Sequence, residues 1–148
     1  MEAASAYLAN RMRTVSEVRK YLKEKEYDEA EAEAAITELT DLGYLDDYLY
    51  AERYYEYNRE KRRGIRRAAG ELAERGVDEL TIKNAGEDFL YENNVDEYED
   101  ALYVAKRVAE GREIDDKLLA KIARKLEAKG YSGSDIIRVL SAIRKDED

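Results

Sequence analysis

One seven-residue pattern occurs three times along the chain, and it constrains the fold more than any other feature of the sequence. The copies are Leu22–Asp28, Leu72–Asp78 and Leu126–Ser132. Their leucines are 50 and 54 residues apart. A period of that length holds about three short helices, so the chain is predicted to consist of three tandem helical units.

Each copy of the pattern is typical of a corner between two helices. In each copy a basic residue stands three positions after the leucine, and the next residue is a glycine, or Glu26 in the first copy. A left-handed residue at this place ends a helix, and the cation lies near the negative end of the helix dipole. The last residue of each copy, Asp28, Asp78 or Ser132, is predicted to cap the next helix.

The composition favours helices throughout, because the chain contains no proline. Apolar residues at helical spacing predict three helices of about ten residues in each unit. We therefore predict an all-α fold of three tandem three-helix repeats that form an elongated, curved body. The predicted repeats are residues 1–46, 47–95 and 96–148.

The chain has no cysteine and no histidine, which excludes a thiol nucleophile, an imidazole base and a Cys/His zinc site. The adjacent Asp46 and Asp47 are an alternative acid pair for a metal or for catalysis, but no third carboxylate is evident beside them. We predict no catalytic site, no metal and no cofactor. No signal peptide or membrane segment is evident in the sequence, so a cytoplasmic protein is expected. We also expect a monomer.

The sequence between the first two units is the most specific motif of the chain. It reads Leu42-Gly43-Tyr44-Leu45-Asp46-Asp47, followed by Tyr50-Ala51. Gly43 is predicted to end a helix in the left-handed conformation, Tyr44 and Leu45 to fold back into the core, and Asp46 or Asp47 to cap the next helix.

This motif resembles the corner of the RecX family of recombinase regulators. The second unit adds Gly64, Glu71-Leu72 and Arg75-Gly76-Val77, which also resemble that family, and the resemblance extends from about Ala6 to Ile143. Four residues depart from the family pattern: Tyr48 and Leu49, Ala68 and Glu26.

Six tyrosines lie within fourteen residues, from Tyr44 to Tyr57. Tyr50, Tyr54 and Tyr57 have the spacing of one helical face, which predicts an apolar stripe that packs on a neighbour. The alternative is a surface that stacks on bases or on the aromatic groups of a partner. Tyr48 and Tyr55 lie off the stripe and are predicted to be exposed.

Basic residues indicate where a partner would bind. The net charge is -9, but the segment 59–67 contains six basic residues and one acidic residue. Arg62, Arg63, Arg66 and Arg67 are predicted to share a face of one helix. The predicted partner-binding residues are Arg59, Lys61, Arg62, Arg63, Arg66, Arg67, Lys121, Arg124 and Lys125. With a weaker set in unit one, Arg19, Lys20 and Lys23, they would line one basic groove, and the alternative is solvated faces balanced by nearby glutamates.

The resemblance implies a non-enzymatic regulator that binds the RecA recombinase filament on single-stranded DNA. It would modulate, with inhibition the expected sign, the recombinase and ATPase activities of the filament in DNA repair and recombination. Weak direct contact with DNA and no contact with membranes are expected. The alternative is a general helical-repeat adaptor or a protein that binds nucleic acid directly.

Overall fold

Nine α-helices account for the regular structure of the computed structural model, which describes residues 2–146, except for the side chains of Ala9 and Asn10. They are α1 Glu2–Asn10, α2 Val15–Glu24, α3 Glu29–Asp41, α4 Asp47–Glu60, α5 Ile65–Glu74, α6 Glu79–Glu92, α7 Glu97–Ala109, α8 Asp116–Lys129 and α9 Gly133–Asp146. No strand occurs within residues 2–146, so the predicted all-α class is confirmed.

Side-chain caps begin most of these helices. Asp28, Asp46 and Asp78 each accept a hydrogen bond from the backbone N–H three residues further on, at 2.8 to 3.0 Å. Ser132 caps α9 in the same way through the N–H of Asp135, at 3.2 Å. An uncapped helix start leaves backbone donors without partners, so these short polar residues fix where the helices begin.

The second helix of each unit ends as the repeated pattern predicts. Glu26, Gly76 and Gly130 have φ values of +67°, +84° and +94°. The residue after each one donates its N–H to the carbonyl of the repeat leucine at 3.1 Å. The repeat leucines are buried: Leu22 is 1% exposed, and Leu72 and Leu126 are 0% exposed. Each leucine therefore both fills a core and closes the turn that follows it.

The unequal spacing of the leucines has a simple cause. Helix α8 has 14 residues, whereas α2 and α5 have 10 each. Ten residues of α8 precede Leu126, whereas seven residues of α5 precede Leu72, so the longer α8 accounts for three of the four extra residues and the third unit keeps the pattern.

Three separate clusters of buried side chains form the core, one for each set of three helices. Representative members are Val18 and Leu39 in the first, Tyr55 and Phe89 in the second, and Ile122 and Val139 in the third. The predicted repeat fold is thus confirmed.

The corner after α3 agrees with the prediction at three residues and contradicts it at one. Gly43 has a φ of +81°, Leu45 is buried, and Asp46 caps α4. Tyr44 was predicted to fold into the core, but it is 68% exposed. The α3 corner turns through Gly43 and buries only the leucine, which leaves the ring of Tyr44 in solvent.

The prediction for the tyrosines of α4 was wrong for Tyr55 and Tyr57. Tyr55 is 2% exposed, and Tyr57, which was assigned to the buried stripe, is 49% exposed. Helix α4 packs on both α5 and α6, so its buried face is wider than one stripe. Gly86 in α6 makes room for the ring, because a Cβ atom there would lie 3.0 Å from the Tyr55 hydroxyl oxygen.

Units one and two meet end to end. At the start of α2, the Thr14 hydroxyl donates to the carbonyl of Arg75 at 2.8 Å, and the Val15 N–H donates to Asp47 at 2.9 Å. A Cβ atom on Gly76 would overlap the side chain of Ser16. The C-terminal end of α5 therefore lies against the N-terminal end of α2.

Units two and three repeat this junction. The Gly64 N–H donates to the Lys129 carbonyl at 2.8 Å, and the Ile65 N–H donates to Glu97 at 2.9 Å. A Cβ atom on Gly130 would lie 2.5 Å from the backbone nitrogen of Arg67. Helices α8, α5 and α2 thus stack head to tail, with opposite dipole ends in contact. The stack also places the basic turn before α5 beside α8.

Candidate partner-binding surface

The basic segment 59–67 spans a turn, not one helical face as predicted. Helix α4 ends at Glu60 and α5 begins at Ile65, so Arg62 and Arg63 lie between the two helices. Arg62 has a φ of +55°, which ends α4, and Gly64 is the N-cap of α5. Only Arg66 and Arg67 lie on the second helix of unit two.

This turn forms one wall of an open basic cleft of about 500 Å³ between units two and three. The turn contributes Lys61 and Arg62. Helices α7 and α8, with the loop between them, contribute the other cations. These cations are Arg107, Arg112, Lys121, Lys125 and Lys129. Glu110 is the only acidic residue among the lining residues, so the cleft has a strong local excess of positive charge.

An aromatic ring sits between two of the arginines. The guanidinium carbon of Arg62 lies 4.2 Å from the centre of the Tyr103 ring, and that of Arg107 lies 5.7 Å from it. Arg107 also donates to the Tyr103 hydroxyl at 3.0 Å. The hydrogen bond from Arg107, together with its positive charge, lowers the pKa of Tyr103. These contacts hold Arg62 and Arg107 beside the Tyr103 ring in the lining of the cleft.

Asp100 partly neutralises the predicted surface. Its side chain, in a residue that is 9% exposed, lies 3.2 Å from Arg59 and 3.6 Å from Arg62. Arg59 lies outside the cleft, in a separate groove with Glu56 and Glu60. Arg59 and Asp100 therefore connect units two and three, and Arg62 does so while also lining the cleft.

Cations crowd together where α8 ends. Lys129 donates to the Lys61 carbonyl at 3.2 Å. Burial lowers the pKa of Lys129, and the nearby charges of Lys125, Arg63 and Arg67 lower it further. Such mutual repulsion is relieved when an anion binds, which makes the cleft suited to a polyanionic partner.

The remaining predicted residues are distributed around the cleft. Arg124 lines a neighbouring groove of about 440 Å³ that shares Lys121 and Arg112 with the cleft. Arg67 lies 3.0 Å from Glu71 and donates to the Ala128 carbonyl at 3.5 Å, so it belongs to the junction. Arg66 is exposed on α5.

Unit one does not extend the basic surface. Arg19 forms an ion pair with Glu33 at 2.6 Å. Lys20 lies in a groove beside Glu17 and Glu24. The structure therefore brings the basic residues of units two and three together and leaves those of unit one among acidic side chains.

Sequence analysis missed Tyr103, Arg107 and Arg112 as parts of this surface. Tyr103 and Arg107 are four residues apart on α7, the spacing of neighbours on a helix face, and that signal was available. Their proximity to Arg62 depends on the junction between units two and three, and no local sequence pattern indicates it.

Metal-ligand clusters and membrane-spanning helices do not occur in the residues that the structure describes. No group of three acidic side chains there is arranged to hold a metal ion. Between residues 2 and 146, none of the helices has the length and apolarity needed to cross a membrane.

The chain is similar to proteins of one known family. The model of the RecX first three-helix domain matches residues 1–39. The regulatory protein RecX of Vibrio parahaemolyticus is 35% identical over 148 residues, which cover 99% of this chain and 92% of that protein. The crystal structure of RecX from Lactobacillus salivarius superposes with a TM-score of 0.80 at 26% identity, and the match covers 97% of this chain and 93% of that one.

Some relatives are much longer. The regulatory protein RecX of Halalkalibacterium halodurans is 39% identical over 130 residues, and the match covers 85% of this chain but 47% of that protein. The chain therefore spans about half the length of that relative.

Proposed function

The chain belongs to the RecX family of regulatory proteins, and from this membership and its basic cleft we propose that it binds a RecA-type recombinase filament on single-stranded DNA. It acts there as a non-catalytic, monomeric, cytoplasmic regulator that modulates, and chiefly inhibits, the recombinase and ATPase activities of the filament. The cleft between units two and three is the contact surface.

The observation that carries this proposal is the concentration of charge. The whole chain has a net charge of -9, yet the cleft residues include seven cations and one acid. The chain as a whole is acidic and the cleft is basic, so charge orients a polyanionic partner toward the cleft. A filament presents acidic protein surface and phosphodiester backbone, and either one would be complementary to the cleft.

The three repeat units of the chain also suit a filament as the partner. Three units joined end to end present several surfaces along one direction, and a filament presents several protomers along its axis. Weak contacts at successive protomers add through effective concentration. The basic contact is therefore expected to be one of several.

The charge of the cleft also favours a second function, direct binding of nucleic acid without a recombinase. Seven cations around one cleft would release counterions from a phosphodiester backbone, so binding would weaken steeply with salt. Binding to bare single-stranded DNA at physiological salt, with no further effect of recombinase, would favour this alternative. Binding only in the presence of the filament would favour the first proposal.

The test follows ATP hydrolysis and filament length after the purified chain is added to a RecA filament on single-stranded DNA. The chain alone is expected not to hydrolyse ATP. The variant pairs Lys121→Glu with Lys125→Glu, and Lys61→Glu with Arg62→Glu, should weaken binding. Lys83→Glu with Lys145→Glu is the matched control, because both residues are exposed and lie outside the cleft residues.

Stability and salt dependence complete the test. Reversal of exposed charges is expected to change the free energy of unfolding by about 0.5 kcal/mol or less. The double variant that changes Arg62 should lose more stability than the other one, because Arg62 contacts Asp100. Cleft variants should also bind with a weaker dependence on salt than the wild-type chain. Unchanged binding and unchanged salt dependence in both cleft pairs would refute the assignment of the contact surface.

A further inference from the structure

The cations of the basic cleft come from three parts of the chain. Two belong to the turn between α4 and α5, and two belong to α7 and the loop after it. Helix α8 supplies the other three, Lys121, Lys125 and Lys129, at intervals of four residues. At about 1.5 Å per residue, neighbouring lysines are about 6 Å apart along one side of α8. A ligand in the cleft is therefore within reach of cations from both units.

Most of these cations have no carboxylate to pair with. Within residues 2–146, Arg62 is the only cation of the cleft with a carboxylate oxygen within 4.0 Å, that of Asp100. Seven cations and one acid, Glu110, line the cleft, which is an excess of six positive charges. Asp100 offsets at most one of them, so most of the excess charge is left for a ligand.

The size of the cleft limits how a ligand can match this charge. Its volume is about 500 Å³, and pockets of roughly 300 to 1,000 Å³ hold one drug-sized molecule. One nucleotide of a nucleic acid strand has that size and carries one negative charge. A triphosphate chain carries about four, because its terminal phosphate carries about 1.5 to 2 and each inner phosphate carries one. A condensed phosphate therefore brings about four times the charge of a strand into the same space.

The cleft also has apolar surface beside its cations. Tyr103, Val104 and Val108 line it, and Tyr103 is 43% exposed. The guanidinium carbon of Arg62 lies 4.2 Å from the centre of the Tyr103 ring, so a cation and an aromatic surface are adjacent. A nucleoside triphosphate has a base that can pack on such a surface, whereas inorganic polyphosphate has none.

We propose that the cleft binds condensed phosphates, as the triphosphate of a nucleotide or as inorganic polyphosphate, and that they compete there with the filament. Lys121 and Lys125 bind the phosphate chain from α8, and Lys61 and Arg62 bind it from unit two. The competition rests on the proposed function, whereas the binding of phosphate does not. Free condensed phosphate would then control how much of the chain is available to the filament.

Isothermal titration calorimetry of the chain alone tests the choice of ligand. The probes are inorganic tripolyphosphate, ATP and the thymidine pentanucleotide, whose four phosphodiesters spread a similar charge over five nucleotides. At low salt, where charges are least screened, tripolyphosphate and ATP should bind at least about tenfold more tightly than the pentanucleotide. Added Mg²⁺ should weaken the binding of both, because it binds phosphate oxygens and neutralises their charge.

Neutral variants of α8 test the position of the site. Lys121→Gln with Lys125→Gln should weaken the binding of tripolyphosphate by about tenfold, because two charged donors are lost. Lys83→Gln with Lys145→Gln is the matched control, since it changes the net charge equally at exposed residues outside the cleft. The control should retain the wild-type affinity. Lys121 and Lys125 are exposed, so thermal melting should show that the cleft variant is folded.

Nuclear magnetic resonance maps the ligand without any substitution. Tripolyphosphate should shift the backbone amide resonances of residues 61–62 and 121–129. The resonances of α3, which belongs to unit one, should not move. Shifts confined to residues outside the cleft would refute the assignment of the site.

The comparison of ATP with tripolyphosphate identifies the source of the phosphate. Tighter binding of ATP assigns the site to a nucleotide, and equal or tighter binding of tripolyphosphate assigns it to the inorganic chain. Tripolyphosphate is then added to the complex of the chain with the filament, at constant free Mg²⁺. The chain should be released, while the filament without the chain stays intact under the same conditions.

Three results would overturn the binding of condensed phosphate. They are a pentanucleotide that binds as tightly as tripolyphosphate, no binding of tripolyphosphate at low salt, and equal affinities in the two double variants. Filament binding that is lost in Lys121→Gln with Lys125→Gln, in a chain that does not bind tripolyphosphate, would support the proposed function and refute this inference. Tripolyphosphate that binds the cleft without releasing the filament would refute the competition.

Discussion

Replacement of Gly130 by alanine tests whether the helices stack end to end as described. Gly130 has a φ of +94°, and its added Cβ would lie 2.5 Å from the backbone nitrogen of Arg67 in the neighbouring unit. Gly130→Ala therefore introduces two independent penalties, backbone strain within unit three and overlap between units two and three.

The expected loss in the free energy of unfolding is the sum of these two penalties. A left-handed conformation costs an alanine roughly 1 to 2 kcal/mol. Overpacking against atoms that cannot rotate away costs about 1 to 3 kcal/mol, and the Arg67 atoms concerned belong to the backbone of α5 and its first side-chain carbon. The total loss in the free energy of unfolding is thus about 2 to 5 kcal/mol.

Gly111→Ala is the matched control. Gly111 has a φ of +70°, but a Cβ atom there would meet nothing within 4 Å, so only the strain applies. Urea unfolding followed by circular dichroism measures both variants. Gly130→Ala should lower the free energy of unfolding by about 1 to 3 kcal/mol more than Gly111→Ala does. Equal losses would show that units two and three are not in contact at Gly130, and the head-to-tail stack would be wrong.

Further predictions concern the repeat pattern itself. Leu22→Ala, Leu72→Ala and Leu126→Ala should each lower the free energy of unfolding by about 2 to 5 kcal/mol, because each side chain is fully buried. A loss below half a kcal/mol at all three would contradict their equivalence. Glu26→Gly should raise the free energy of unfolding by up to about 1 kcal/mol in the same urea assay, since Glu26 is strained at a φ of +67°. A loss of stability at Glu26 would show that its side chain makes a compensating contact.

The sequence predicted the corners of the fold well because their causes are local. A capping aspartate acts on an N–H three residues away, and the repeat leucine acts on a turn five residues away. Such contacts are encoded within one seven-residue pattern. Tyr55 was predicted incorrectly for the converse reason, because its burial depends on Gly86, which lies thirty-one residues further along the chain.

The candidate surface was predicted in part for the same reason. The basic segment 59–67 is visible in the sequence, but its division by the α4–α5 turn depends on the left-handed Arg62. The pairing of Arg59 and Arg62 with Asp100 joins residues about forty positions apart. Charge counts along a sequence cannot tell which arginines such a contact will neutralise.

The departure at Glu26 shows how the stack accounts for an exception to the repeat. Gly76 and Gly130 occupy the same left-handed position as Glu26, and a side chain at either glycine would overlap the next helix in the stack. Glu26 is exposed, and the C-terminal end of α2 makes no such cross-unit hydrogen bond in the part of the chain described. Steric contact requires glycine at the two junctions, whereas at Glu26 only backbone strain opposes a side chain. Within this fold, glycine after the basic residue therefore marks a helix whose C-terminal end meets another unit.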